Sequence, residues 1–248
     1  MATKIELAIQ LIRNSSRIVA FTGAGISTEA GIPDFRSEGG VWENQELMEL
    51  MSAPGFRRDP VAFYKSSMQL MPNIHRAQPT DAHKMLSLLE ARGQLTAVIT
   101  QNIDGLHQAA GSKTVYEIHG SFRSGHCAGC QAAYVMAKFY EQLERGEIDC
   151  PRCHKCQSPI KSDTILFGDM LPRVVWTRSV DAVGACDLML VLGSSLVVYP
   201  AAELPVTAVS CGANLIIVNR SETELDYLAN IAINCGLGDF SREVMKNL

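Results

Sequence analysis

Two cysteine pairs, and a series of small polar clusters that each follow an apolar run, are the places where this sequence carries chemistry. Cys127-x-x-Cys130 and Cys153-x-x-Cys156 are separated by 22 residues, 131–152. Each knuckle sets two thiolates on one side of a turn. Four thiolates close a tetrahedral shell with no open position, which is the chemistry of one structural zinc ion per chain. Cys150-x-x-Cys153 is an equally legal knuckle, and His126 and His154 are nitrogens beside the pairs. If Cys150 stays outside the shell, it is a free thiol next to it. Cys186, Cys211 and Cys235 are scattered and read as small apolar or loop residues. Five of the eight cysteines fall between Cys127 and Cys156. In a reducing compartment that clustering means metal, not disulfides.

The polar clusters come next. Gly23-Ala24-Gly25-Ile26-Ser27 follows the apolar run RIVAFT and opens a helix. Glycines there let backbone N–H groups approach a phosphate. The third glycine of the full dinucleotide fingerprint is missing, so the loop alone also reads as an ordinary tight turn. Gly31-Ile32-Pro33-Asp34-Phe35-Arg36-Ser37 is a polar, proline-stiffened stretch suited to a lid over a cofactor, or else a surface turn with Phe35 in the core. Thr100-Gln101-Asn102-Ile103-Asp104-Gly105-Leu106-His107 offers amides and a carboxylate to a sugar and an amide ring. His119 ends another short run just before Gly120, Gly193-Ser194-Ser195-Leu196 ends a fourth, and Asn219 ends a fifth. A lone histidine is more often structural. At the same rim as the other clusters, His119 becomes a candidate base.

The elements that must position these groups follow from the apolar runs. Arg17–Thr22, Leu95–Thr100, Val115–Ile118, Leu188–Leu192 and Leu215–Val218 read as short strands. Ile5–Ile12, His83–Ala91, Arg173–Ala185, Ala201–Val209 and Phe240–Lys246 read as helices. The alternation predicts an α/β fold: a parallel sheet with helices on both faces, binding its ligand beyond the carboxyl ends of the strands. Two stretches break the rhythm. Gly39–Pro79 is Met-, Phe- and Tyr-rich and helical, punctuated by Pro54, Pro60 and Pro72; Phe122–Pro159 carries the cysteines. Both read as insertions that together form a second lobe.

The chain has 248 residues and a net charge of −4, so bulk charge gives no reason to expect nucleic acid as a partner. The cysteine region balances Arg123, Lys138, Arg145, Arg152 and Lys155 against Glu141, Glu144, Glu147 and Asp149. That is no phosphate-binding surface. No signal peptide and no membrane-spanning run is seen, so the expectation is a soluble, cytoplasmic protein.

GAGIS, GIPDFR, TQNIDGLH, the His119–Gly120 pair, the paired CxxC knuckles, ILFGDMLP and GSSLVVYPAAELP stand in the order found in sirtuins. The resemblance covers nearly the whole chain and is similar to the compact prokaryotic type. It implies a Rossmann-like NAD-binding domain over 1–38, 80–121 and 160–248. It also implies a small lobe made of a helical module, 39–79, and a zinc-ribbon-like module, 122–159. The implied activity is NAD-dependent removal of acetyl or other uncharged acyl groups from protein lysine, giving nicotinamide and O-acyl-ADP-ribose. The implied partners are acyl-lysine proteins or peptides, met by a monomer.

By the same resemblance, Gly23, Ala24, Gly25 and Thr28 belong to the diphosphate loop, and Phe35 and Arg36 to the cofactor loop. Gln101, Asn102, Ile103 and Asp104 surround the nicotinamide and its ribose, with Asn102 and Asp104 sharing in catalysis. His119 is the general base. Gly193, Ser194, Ser195 and Asn219 hold the adenosine end, with Gly236 and Leu237 near the adenine. Ile165, Phe167 and Val198 line the acyl-lysine tunnel. The zinc ligands are Cys127, Cys130, Cys153 and Cys156, leaving Cys150 outside.

Three positions depart from the pattern. Asp169 stands where many sirtuins have Glu, and Ser162 where many have Pro. Sirtuins that prefer succinyl-lysine resemble Tyr-x-x-Arg where this chain has Tyr64-Lys65-Ser66-Ser67. Ser67 cannot make the charge-assisted pair with a distal carboxylate, although Arg57 or Arg58 nearby could replace it. The rival enzyme is a mono-ADP-ribosyltransferase. An ordinary dehydrogenase is disfavoured by the missing third glycine and by the lack of an acidic residue ending the second strand.

Overall fold

A computed structural model describes residues 3–34, 45–70, 74 and 76–248. In chain order the elements are α1 (Lys4–Asn14), β1 (Ile18–Thr22), a 3-10 helix (Ala24–Ala30), α2 (Gln45–Leu50), α3 (Ala53–Arg58), α4 (Pro60–Leu70) and α5 (Asp81–Ala91). Then come β2 (Leu95–Thr100), α6 (Leu106–Ala109), β3 (Val115–Glu117), β4 (Gly120–Cys127), β5 (Ala133–Val135), α7 (Ala137–Glu144) and β6 (Ile160–Thr164). The chain closes with α8 (Arg173–Ala185), β7 (Leu188–Leu192), α9 (Glu203–Ser210), β8 (Asn214–Asn219), β9 (Ile231–Asn234) and α10 (Leu237–Asn247). None of these helices is long and apolar enough to cross a membrane.

Six strands form one parallel sheet in the order β3-β2-β1-β7-β8-β9. From β1 the chain walks outward through β2 and β3. It then returns to the other side of β1 and walks outward again through β7, β8 and β9. The order therefore reverses between β1 and β7, and the crevice beyond that point is where such sheets bind ligands. Alternation within β1 explains the two-faced core. Ile18 and Ala20 join α1, α5 and α10 residues such as Ile12, Leu86 and Phe240. Val19 and Phe21 join α8 and α9 residues such as Val183 and Leu204 on the opposite face. Covered on both faces, β1 and β7 are buried at every residue, and the polar Thr22 stands only at the end of β1.

A three-stranded antiparallel sheet, β5-β4-β6, builds on the far side of His119. Its core is shared. Met51, Phe56, Phe63 and Tyr64 from the helical insertion before α5 pack with Met136, Tyr140, Ile160 and the buried Cys127, Cys150 and Cys153. Phe56, Phe63 and Tyr64 meet edge to face, with ring centroids 5.2 and 5.4 Å apart for the pairs involving Phe63. The Tyr64 hydroxyl donates to the Ile160 carbonyl at 2.7 Å, tying the helical insertion to the small sheet. The prolines of the helical insertion mark helix starts: Pro54 lies in the first turn of α3 and Pro60 opens α4, as the ring's fixed φ favours. Pro72 lies outside the described residues.

Candidate active site and metal centre

The glycine loop is shaped by backbone crowding at the sheet's reversal point. Gly25 donates its N–H to the Gly193 carbonyl at 2.9 Å, so the loops after β1 and β7 interlock. A Cβ on Gly25 would lie 2.7 Å from the Gly193 Cα, and one on Gly193, at φ +63°, would lie 2.5 Å from the Ile26 nitrogen. Phosphate approach is thus not the only reason for glycine here, since the two loops leave no room for a side chain. The loop continues as a 3-10 helix, where Thr28 donates to the Gly25 carbonyl at 3.1 Å.

Around this interlock the strand ends are laid side by side. Gln101 N–H donates to the Thr22 carbonyl at 2.9 Å, and its side-chain amide donates to Ser194 Oγ at 2.8 Å. Asn102 Nδ2 donates to the Gly23 carbonyl and to Ser27 Oγ, each at 3.1 Å. Ser27 donates in turn to Asp104 at 2.7 Å, and the same carboxylate accepts the Leu106 N–H at 3.0 Å. Burial raises the pKa of Asp104, opposed by those donors and by the charge of Arg123. Ser27, at 1% exposure, joins the glycine loop to the Asn102–Asp104 loop. It sits inside GAGIS, yet sequence reading passed over it because its role is a long-range contact.

His119 stands between the two sheets. Its Nδ1 lies 3.1 Å from the Gln101 carbonyl oxygen, which can only accept. Nδ1 therefore carries the proton, and in the neutral ring the lone pair sits on Nε2. The His119 carbonyl accepts the Ile165 N–H at 2.8 Å, fixing its backbone to the segment after β6.

All these groups border one cavity of about 700 Å³, within the usual range for a small-molecule site. Every described residue proposed for cofactor or substrate lines it: Gly23, Ala24, Gly25, Thr28, Gln101, Asn102, Ile103, Asp104, His119, Ile165, Phe167, Gly193, Ser194, Ser195, Val198, Asn219, Gly236 and Leu237. Phe35 and Arg36 lie outside the described residues. Asp34, from the stretch read as a cofactor lid, also borders the cavity, as do Arg220, Tyr140 and Thr164, which the sequence did not single out. Glu29 accepts the Gly238 N–H at 3.0 Å and so anchors the start of α10 beside Gly236. Of the departures, Asp169 pairs with Lys161 at 2.9 Å and accepts the Leu166 N–H at 3.1 Å. Both contacts steady the segment carrying Ile165 and Phe167.

Behind the glycine loop lies a buried histidine pair. His83 and His107 have ring centroids 4.6 Å apart. His107 Nε2 meets Thr22 Oγ1 at 2.9 Å, and His83 Nδ1 accepts the Thr80 N–H at 3.2 Å. His83 Nε2 and His107 Nδ1 have no partner among the described residues. Burial pushes His83 down to about 4 and holds His107 well below the usual 6.5, with the His83 charge adding to the latter. Both rings fold neutral, so the unfolded chain binds more protons below pH 6.5. Stability is then full above that pH and is lost as pH falls towards 4. His83 alone accounts for about 3 kcal/mol of this, and the raised pKa of Asp104 opposes part of it. Melting temperature measured from pH 7 to 4 should fall over that window, and His83→Gln should flatten the fall. An unchanged slope in the variant would remove His83 as the cause.

The four predicted cysteine ligands come together. Their sulfurs all lie within 4.8 Å of one another, with Cys127–Cys156 at 3.4 Å and Cys130–Cys153 at 3.5 Å. A zinc ion with ~2.3 Å bonds needs edges of about 3.8 Å, so the residues fit the ion. Backbone N–H groups of Gly129 and Cys130 point at Cys127 Sγ, and that of Lys155 at Cys153 Sγ. The Tyr134 hydroxyl donates to Cys153 at 3.1 Å and lowers its pKa, which favours the ligating thiolate. Cys150 is not in the cluster. It is buried against Tyr64 and Tyr140, and burial pushes its thiol up to about 11. His126 is engaged by Asp163, and His154 stacks on Phe139.

Comparison with known proteins gives consistent matches. Residues 23–200 match the model of the Sir2 family. An Archaeoglobus fulgidus protein named NAD-dependent protein deacylase 2 is 42% identical over 249 residues, covering 100% of this chain and 97% of its own. A structure solved in work on the mechanism and regulation of Sir2 enzymes aligns with a TM-score of 0.92 at 42% identity, covering 100% of this chain and 98% of the other. A complex of Sir2 with a p53 peptide and NAD+ aligns with a TM-score of 0.89 at 39% identity, covering 98% of each chain.

Proposed function

The chain belongs to the Sir2, or sirtuin, family, and on that premise we propose that it removes acetyl and other uncharged acyl groups from protein lysine at the expense of NAD. One water is consumed with the NAD, and the products are lysine, nicotinamide and O-acyl-ADP-ribose. The observation that carries this reading is the setting of His119: one histidine, its Nδ1–H turned to the Gln101 carbonyl, bordering the same cavity as Asn102, Asp104 and the glycine loop. Transfer of ADP-ribose onto protein is not favoured, because relatives that match nearly the whole chain are named NAD-dependent protein deacylase or deacetylase.

What NAD supplies when bound is a ribose carbon that takes up the acyl oxygen as nicotinamide leaves. The chain's own residues do the rest. Gly23, Ala24, Gly25 and Thr28 take the diphosphate at the sheet's reversal point, and Gly193, Ser194, Ser195, Asn219, Gly236 and Leu237 take the adenosine end. Gln101, Asn102, Ile103 and Asp104 enclose the nicotinamide riboside. Ile165, Phe167 and Val198 sheath the lysine stem and keep water out. His119 Nε2 removes a proton from a ribose hydroxyl, for which the neutral ring is required. Phe35 and Arg36 are assigned to the cofactor loop by resemblance.

We place the division of the chain as the resemblance implies, with one adjustment: Ile160–Thr164 pairs with β4 in the small sheet, so the second return to the large domain falls after Thr164. A monomer in the cytoplasm, where thiols stay reduced, suits a four-cysteine metal site.

Mass spectrometry of acyl-lysine peptides incubated with NAD tests the reading, and failure to remove any acyl group would overturn it. Ser67 borders the cavity, whereas Arg57 and Arg58 do not; among the described residues the only lysine or arginine that does is Arg220. Among the described residues, no lysine or arginine lines the cavity beside Ser67, so a succinyl carboxylate meets no opposite charge there and kcat/KM should be at least ~10-fold lower than for acetyl. Ser67→Arg should raise the succinyl-to-acetyl ratio. Equal rates in the unaltered protein would refute the preference.

A further inference from the structure

Gly23, Ala24 and Gly25 span from Thr22, the last residue of β1, to Ile26. Alternation along β1 puts Thr22 on the face of Ile18 and Ala20, which α5 covers. Both ends of the span are tied from behind to one pair of rings. Thr22 Oγ1 lies 2.9 Å from His107 Nε2. The Ile26 carbonyl accepts from the Thr80 hydroxyl at 3.0 Å. Thr80 in turn meets His83 Nδ1, through its N–H at 3.2 Å and its hydroxyl at 2.8 Å. The two rings pack on each other. A path of contacts therefore runs through Thr22, His107, His83, Thr80 and Ile26, and it closes behind the loop that takes the diphosphate. Thr22, His83 and His107 are at most 1% exposed, and no residue of the path borders the cavity.

Filling this space does not require histidine. An apolar side chain would not leave His83 Nε2 and His107 Nδ1 buried without a partner among the described residues, which costs stability. What an apolar side chain cannot do is hold Thr80 and Thr22. His83 Nδ1 accepts the Thr80 N–H, so the proton of the neutral ring sits on Nε2. That bond sets Thr80 where its hydroxyl reaches the Ile26 carbonyl. The Gly193 carbonyl and Asn102 hold the loop from the front, so the rear contacts decide how far its backbone stands forward to meet an anion. We propose that His83 and His107, acting with Thr80, are positioning residues for the dinucleotide diphosphate: they touch neither substrate nor cofactor and set the glycine loop from behind. The inference rests on the NAD-dependent reading above.

The test measures ADP-ribose affinity by calorimetric titration, beside the kinetics of an acetyl-lysine peptide with NAD. In His83→Leu, His107→Leu and Thr80→Val, the Kd for ADP-ribose and the KM for NAD should each rise about 3–10-fold. The kcat at saturating NAD and the KM for peptide should stay within about 2-fold, the mark of lost binding alone. His83→Asn puts an amide oxygen where Nδ1 stands, and His107→Gln puts an amide where Nε2 stands. Both should return ADP-ribose affinity to within about 2-fold of the unaltered protein. Thr80→Val leaves both rings in place and decides the question if a leucine variant does not fold. Unchanged ADP-ribose affinity in Thr80→Val would overturn the proposal. So would a loss shared equally by kcat and both KM values, or one that the amide variants do not relieve, since either marks general loosening of the core. ADP-ribose binding that weakens as expected, in a protein that removes no acyl group, would overturn the deacylase reading alone. No ADP-ribose binding by the unaltered protein would overturn both.

Discussion

His119→Ala should slow turnover of an acetyl-lysine peptide by about 10²–10⁴ while dinucleotide binding stays within a few-fold. The ring is tied to the Gln101 carbonyl, and the loop around it is held by bonds of its own. Gln101 is fixed to Thr22 and Ser194, and Asn102 to Gly23 and Ser27. Removing the imidazole therefore deletes a base without dismantling the cradle. Product formation followed by mass spectrometry, alongside calorimetric titration with NAD, separates the two effects. Turnover like that of the unaltered enzyme would take His119 out of the mechanism. Loss of binding equal to the loss of rate would make its role structural.

Cys153→Ser should reduce zinc from about one ion per chain to near none and lower the melting temperature markedly, since metal affinity in such sites is folding free energy of ~10 kcal/mol. Cys153 is the hub of the centre. Its sulfur receives the Tyr134 hydroxyl and the Lys155 N–H and lies nearest Cys130. The side chain is also part of the core shared with Phe56, Phe63 and Tyr140. Loss of the ion should therefore loosen the wall that bears Tyr140 and reduce peptide turnover more than NAD binding, which the large sheet supports. Metal analysis that still finds one ion per chain, with unchanged melting, would show that the knuckles were misassigned.

The large sheet could be read from the chain because its strands are apolar on both faces. LTAVIT and LMLVL are strands over the residues expected, and Arg173–Ala185 is the helix expected. The small sheet could not. β4 runs through Gly120, Arg123, Ser124, Gly125 and His126, residues with little strand preference. It is held by pairing with β6 and by the knuckle at its end, both long-range. β9 is four residues with little exposed alternation and escaped notice for the same reason. The cysteine ligands and strand-end clusters were legible because spacing and strand ends are local signals. Ser27, Glu29 and the His83–His107 pair were not, because each acquires meaning only from a partner far along the chain. The glycines of the first loop were legible as glycines, but the approach of Gly193 that requires them was hidden.

His119 is held from two sides at once: its ring by the Gln101 carbonyl of the large sheet, its own carbonyl by the Ile165 N–H that leads into the Phe167 segment. An occupant of one side that displaces this residue is thereby felt on the other. Thermodynamics then makes the cross-talk symmetrical: the factor by which an acylated peptide alters the grip on the dinucleotide is the factor by which the dinucleotide alters the grip on the peptide.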